Sequence, residues 1–516
     1  MRSVTLTILL FIVTFTFGQN ANKSARPNIV FIMADDHTSQ AWGLYGGVLQ
    51  DYVINKNIKR LANEGALLKN AFCTNSICVP SRATILTGQY SHQNQVYTLS
   101  DKLDPNRNNV AKILSNSGYQ TAIIGKWHLK SKPSGFDYFK VLPGQGKYQD
   151  PILKTAENWE DGKKGGSVYQ GFSTDVITDA SLEWLNKRDK TQPFMLMTHF
   201  KATHEPFDYP ERYKDLFNGI SIPEPSSLLE FGPQESGRAF KGQVLETLAG
   251  RWEKASVNNT KAWNYPGLPF DVNGLGAVEL RKKTYQKLVK DFLKCAAAID
   301  DNIGRVLDYL DENGLAENTV VIYTSDQGYF LGEHGFFDKR MFLEESLRMP
   351  FVIRYPKEIP ANKKVDDIVL NVDFSSLILD YAGLPMPSDF QGKSFRKNLI
   401  KKSTKDWRKS MYYRYYAHSL DRPAHFGIRN ERYKLIFYYG HSLGYNGAYT
   451  NETTPPKWEF YDLKKDPKEL KNEYGNFKNR SVISALKSEL TLLRFQTGDS
   501  QKDPAELIEI IKNNWN

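Results

Sequence analysis

Short apolar runs, each followed by polar residues and then by a stretch with helical spacing, recur along most of the chain. Residues 28–34, 121–125, 193–200 and 319–325 are short, apolar and rich in β-branched side chains, and read as buried strands. Strands alternating with helices predict a parallel α/β sheet. The clearest helix spans residues 278–313: Leu288, Phe292, Ala296, Ile299, Ile303, Val306 and Leu310 recur along one stripe, and Gly314 supplies the stop. Residues 205–276 are rich in Pro, Gly and charge with weak periodicity, which predicts loops and short helices over one edge of the sheet.

Around 385–409 the composition shifts to Pro, Gly and Lys, and the pattern changes with it. Aromatic runs at 411–416 and 433–439, with helical patterns near 481–496 and 505–512, predict a smaller C-terminal antiparallel α+β subdomain. The expected organisation is a signal peptide at 1–18, a catalytic domain at 25–400 and the subdomain at 405–516. Arg2, the apolar run from Leu6 to Phe17 and small Gly18 before Gln19 carry the export reading. That run is too short to span a bilayer, no other long apolar run exists, and a secreted or periplasmic protein without membrane insertion is expected.

Composition narrows the picture further. A chain of 516 residues with 40% hydrophobic positions can bury a large core. Three cysteines, Cys73, Cys78 and Cys295, are too few for a disulfide framework in an oxidising compartment, and Cys73 and Cys295 read as buried thiols. The net charge of +10 suits a polyanionic partner. The basic residues are scattered rather than interleaved with aromatics on one element, which argues against nucleic acid.

Candidate chemistry gathers where the strands end, the side on which open parallel sheets bind ligands. Asp35 and Asp36 follow the first strand, Lys126 and His128 the second, His204 the third, and Asp326 with Gln327 the fourth. Three carboxylates and an amide oxygen form a hard donor set that suits Ca²⁺ or Mg²⁺, and two adjacent acids repel each other without a cation. In Cys78-Val79-Pro80-Ser81-Arg82, Pro80 fits an early helical position and Gly88 a terminator. Cys78 then sits at a helix N-terminus, where negative charge is stabilised, with Arg82 one turn on. An activated thiolate, a structural cysteine and an anion-binding turn all fit these residues.

The Cys78–Arg82 pentapeptide resembles the maturation signature of type I sulfatases, in which that cysteine is oxidised to formylglycine. Asp35-Asp36, Gly125-Lys126-Trp127-His128, His204-Glu205-Pro206, Ser325-Asp326-Gln327-Gly328, Gly332-Glu333-His334-Gly335 and Asp338-Lys339-Arg340 follow the family's order. Phe460-Tyr461-Asp462-Leu463 and Asp466-Pro467 resemble its C-terminal part, so the similarity covers nearly the whole mature chain. The resemblance implies an alkaline-phosphatase-like fold, a large, mostly parallel sheet sandwiched by helices. It assigns Asp35, Asp36, Asp326, Gln327 and the modified Cys78 to one Ca²⁺, and Arg82, Lys126, His128, His204 and Lys339 to the formylglycine and the sulfate. Gln327 stands where many relatives have Asn, and Thr203 where a Pro often precedes the histidine.

The implied reaction is attack on sulfur by hydrated formylglycine, with His204 as acid for the departing alcohol, Lys339 assisting, and His128 as the base that lets sulfate leave. His334, Arg414 and His425 are candidates for substrate contact. The expected substrate is a sulfated polysaccharide or its oligosaccharides, of algal or glycosaminoglycan type, and a formylglycine-generating enzyme is the expected maturation partner. The rivals are a phosphatase or phosphodiesterase of the same superfamily, which would use Ser or Thr and two zinc ions, and a silent glycan-binding protein in which Cys78 stays a thiol.

Overall fold

A computed structural model describes residues 26–230, 242–258, 264–401 and 406–515, and the expected signal segment lies outside them. The central sheet contains β1 (Asn28–Ala34), β2 (Ala66–Leu68), β3 (Gln120–Lys126), β4 (Tyr138–Leu142), β5 (Phe194–His199), β6 (Thr319–Ser325), β7 (Phe351–Arg354) and β8 (Lys363–Val365). Their spatial order is β8-β2-β7-β6-β1-β5-β3-β4, and all but β7 run parallel. The anticipated strands are the four at its centre and on one side, β6-β1-β5-β3. β4, the antiparallel β7 and the three-residue β2 and β8 were not anticipated from the sequence.

Strand β1 shows why these runs are apolar throughout. Ile29, Phe31 and Met33 enter the core on one face, while Val30, Ile32 and Ala34 enter the core on the other. Burying each large aliphatic side chain contributes about 1.5–3 kcal/mol, so both faces must be covered. One cover is the helix Ala277–Glu312, whose Ile299, Ile303, Val306 and Leu310 share the core of Val30 and Ile32.

The segment 205–276 departs from expectation. It holds a 14-residue helix, Leu245–Asn258, and Leu248 and Trp252 pack with Tyr285, Leu288 and Phe292 of the long helix rather than over a sheet edge. Downstream, β9 (Ser410–Tyr415), β10 (His425–Asn430), β11 (Tyr433–Tyr438) and β12 (Lys457–Asp462) form an antiparallel sheet in chain order. The helix Arg480–Gln496 packs on it. No helix among the described residues is long and apolar enough to cross a membrane.

Candidate active site

The ends of β1, β3 and β6 meet the N-terminus of the helix Cys78–Thr87, which Gly88 closes in the left-handed region at φ 64°. Cys78 opens this helix and is 1% exposed. Around its Sγ converge Lys339 Nζ at 3.5 Å, Gln327 Nε2 at 3.7 Å and Asp36 Oδ1 at 3.8 Å. Burial pushes the thiol up despite the nearby Lys339 ammonium, so an unmodified Cys78 stays protonated and weakly nucleophilic at neutral pH.

Asp35, Asp36 and Asp326 each bring one carboxylate oxygen within 4.8 Å of the others. Burial and the Asp35 and Asp36 charges push the Asp326 carboxyl up to about 7, against the pull of Arg82. Gln327 adds a buried Oε1 without a hydrogen-bond partner, while its Nε2 donates to Asp36 Oδ1. A half-turn of that amide exchanges the two atoms. Crowded carboxylates and an orphaned amide oxygen fit a hard divalent cation such as Ca²⁺.

Cations surround this cluster. Arg82 donates from Nε to Asp326 Oδ2 at 2.9 Å, from Nη1 to Lys126 O at 2.8 Å and from Nη2 to Asp35 Oδ1 at 3.3 Å, tying three strand ends together. Lys126 Nζ donates to Asp35 Oδ2 and Gln145 Oε1, and Lys339 Nζ lies 2.5 Å from both oxygens of Asp36. Gly125 lets Lys126 reach this position: its φ is +104°, and a Cβ there would lie 1.9 Å from His199 O. Asp36 and His128 hold φ of 63° and 57°, a strained left-handed conformation for residues with a Cβ that is concentrated at functional sites.

Both rim histidines are kept neutral. Burial, then the Lys126 charge, pushes His128 and His204 well below the usual imidazole range. His204 Nδ1 lies 2.8 Å from Glu205 O, which can only accept, so that nitrogen carries the hydrogen and Nε2 faces Asp36 Oδ2 at 3.7 Å. His128 Nδ1 is buried without a partner.

The structure thus gathers Asp35, Asp36, Cys78, Arg82, Lys126, His204, Asp326, Gln327 and Lys339, with His128 beside them. Expected substrate contacts from His334, Arg414 and His425 are corrected. His334 is fully buried against Phe330 and Phe336 with Nδ1 2.8 Å from Glu230 Oε2. His425 is enclosed by Tyr413, Tyr415 and Tyr438, and Arg414, 2% exposed, pairs with Asp499 at 2.7 Å. Arg414 and His425 lie among aromatics in the sequence, a pattern that a buried sheet face produces equally well, while His334 entered through the Gly332-Glu333-His334-Gly335 motif. All three cysteines are buried and unpaired. Gln145, which shares the Lys126 ammonium with Asp35, carried no sequence signal because its loop lies outside every motif.

Cleaving an anionic ester demands concentrated positive charge beside a positioned nucleophile, and fold and rim together define a hydrolase of that class. A family model described as Sulfatase matches residues 27–384, and one described as N-sulphoglucosamine sulphohydrolase, C-terminal, matches residues 332–496. The chain belongs to the sulfatase family and is a sulfuric ester hydrolase. It is 37% identical over 547 residues to an N-acetylglucosamine-6-O-sulfatase of Bacteroides thetaiotaomicron, covering 98% of this chain and 94% of the relative. An ulvan-active sulfatase of Formosa agariphila is 24% identical over 94% of this chain and 84% of its own length. A solved structure in complex with its substrate D-glucosamine-2-N,6-O-disulfate superposes with a TM-score of 0.81 at 36% identity, over 93% of this chain and 99% of that one.

Proposed function

We propose that this sulfatase releases inorganic sulfate from a glucosamine-containing sulfated glycan, with formylglycine made from Cys78 at the reacting position and Ca²⁺ held by Asp35, Asp36, Asp326 and Gln327. The observation that carries the reading is the convergence of Lys339, Gln327 and Asp36 on Cys78 Sγ within 3.8 Å. The amino sugar is supported by the relative named for N-acetylglucosamine-6-O-sulfate and the neighbour solved with a sulfated glucosamine.

When present, the formylglycine and calcium supply an activated oxygen nucleophile and offset charge on the sulfuryl group. The residues of the chain do the rest. Lys126 and Lys339 bind sulfuryl oxygens, and Arg82 keeps the ligand-bearing strand ends in register. His204, with its Nδ1 hydrogen committed to Glu205 O, takes up a second proton from solvent at Nε2 once the anionic ester is bound beside it, and hands that proton to the departing sugar oxygen. His128, neutral in its buried position, accepts the proton that lets sulfate leave. We also assign this chemistry to residues 25–400, a supporting role to 405–516, export to the leader 1–18, and maturation to a formylglycine-generating enzyme.

The test is sulfate release from a panel of sulfated glycans, their oligosaccharides and a phosphate monoester, using protein matured in a host able to make formylglycine, with Cys78→Ala as control. Release from glucosamine-type sulfates by the parent alone is the expected result. Phosphate release exceeding sulfate release would favour the phosphatase reading instead.

A further inference from the structure

The scattered basic residues of the sequence are not scattered at one place. Beside the rim lies a cavity of about 470 Å³, within the size range of small-ligand sites, and the catalytic candidate His128 forms part of its wall. Gln145, which accepts from Lys126 Nζ, also lines it, so one side chain joins the cavity wall to the Lys126 ammonium of the candidate site. Lys102, Lys130 and Lys163 line it as well, are exposed, and make no ion pair among the described residues. Among the described residues the one carboxylate on its wall is Asp161, which accepts from Trp159 Nε1 at 3.1 Å.

The wall also offers a sugar-sized apolar surface. Trp159 is half-buried, with Lys154 Nζ 4.8 Å over its ring and Phe139 against it edge-on, which fixes its orientation. Lys154 is itself anchored by the Glu160 and Gly162 carbonyls. The indole is therefore a preorganised platform, and Lys102, Lys130 and Lys163, which make no ion pair among the described residues, add positive charge to the wall of the same cavity. A cavity wall that combines a rigid aromatic surface with cations suits a sugar ring bearing an anionic substituent.

Building on the reading above, we propose that this cavity is a second subsite. It binds a sugar unit of the substrate other than the one carrying the scissile ester, through a sulfate or carboxylate facing Lys102, Lys130 and Lys163, with the ring against Trp159. Phosphate or sulfate ions alone lack the ring and bind there weakly. The chain is thereby tuned to anionic oligosaccharides over the sulfated monosaccharide.

The experiment compares the parent with the triple variant Lys102→Ala/Lys130→Ala/Lys163→Ala and with Trp159→Ala, after circular dichroism and melting show that each is folded. One readout is kcat/KM for a heparin-derived tetrasaccharide divided by that for D-glucosamine-2-N,6-O-disulfate. The second is calorimetric binding of the tetrasaccharide to the same proteins carrying Cys78→Ala, which needs no turnover. The proposal predicts a fall of about tenfold or more in the ratio and a matching rise in Kd, both relieved when the parent is assayed at high salt. Equal losses on both substrates would place the lysines in the catalytic site and overturn it, as would an unmoved ratio and Kd or no tetrasaccharide binding to the Cys78→Ala protein. Failure of the parent to release sulfate from either substrate would instead count against the proposed function, while the binding readout still decides the subsite.

Discussion

Two buried clusters of charge, one at the strand ends and one behind the C-terminal sheet, are built from the same residue types and differ in how their carboxylates are balanced. Behind the C-terminal sheet, Asp499 is 0% exposed and receives Tyr412 Oη at 2.7 Å, Arg414 Nη1 at 2.7 Å and Arg494 Nε at 3.0 Å. Burial alone would raise its pKa, but Arg414, Arg494 and His92 hold it well below the usual carboxylate range. At the strand ends, Asp35, Asp36 and Asp326 crowd within 4.8 Å, and Gln327 Oε1 and His128 Nδ1 have no partner among the described residues. Burial of charge alone is therefore a poor mark of function. Crowded carboxylates beside an orphaned acceptor are the better one, because a cation must complete them, whereas the orphaned atoms of the C-terminal cluster, Arg414 Nε and Nη2, are donors.

The largest effect that sharpens this contrast is expected from Asp326→Asn. Sulfate release should fall by about 10³-fold or more, as for loss of a preorganised electrostatic group. Calcium at a hundredfold excess over Kd should stabilise the parent by about 2.7 kcal/mol in thermal melts, and this rise should vanish in the variant. An undiminished calcium response would break the comparison.

Asp499→Asn should do the reverse. Removing one partner of a buried ion pair costs about 3–5 kcal/mol of stability, while kcat/KM of the folded protein should stay within about threefold. The pH dependence has a definite sign. Because the folded pKa lies below the unfolded value of about 4, the contribution of Asp499 is complete above that value and is lost as the pH falls through the folded pKa. The melting gap between parent and variant should narrow on acidification below about pH 4.

Smaller changes follow. Gln327→Leu removes the orphaned amide and should weaken calcium binding by about 10–100-fold in direct titration, with sulfate release restored by added metal. Arg432→Ala breaks an Arg432–Asp462 pair at 2.8 Å whose arginine is 45% exposed. It should leave both the melting temperature and the activity nearly unchanged, because solvent screens an exposed pair.

The sequence made some of this legible for physical reasons that can be named. β1 and β6 are continuous apolar runs because both faces are buried, and their ends match the expected boundaries. Cys78 opens a helix because Pro80 and Gly88 fix its ends, and the polar residues after each strand mark the ligand-binding side of a parallel sheet. What stayed hidden depends on distant pairing. β2 and β8 are too short to carry a period, and β7 reverses direction without any local signal. The partner of Arg414 lies 85 residues away at Asp499, so nothing near Arg414 distinguishes an ion-pairing residue from a sugar-binding one. Gln145 and the lysines of the second cavity come from loops, whose convergence only the fold provides.

The central claim is that the strand-end cluster is completed by a modified residue 78 and a bound cation. The most direct measurement is peptide mass spectrometry across residue 78 on protein matured in a competent host, paired with sulfate release before and after chelation. The account predicts an aldehyde at position 78, release proportional to its occupancy, and loss on chelation that calcium reverses. Full release from protein whose Cys78 is an unmodified thiol, or release indifferent to chelation, would contradict it.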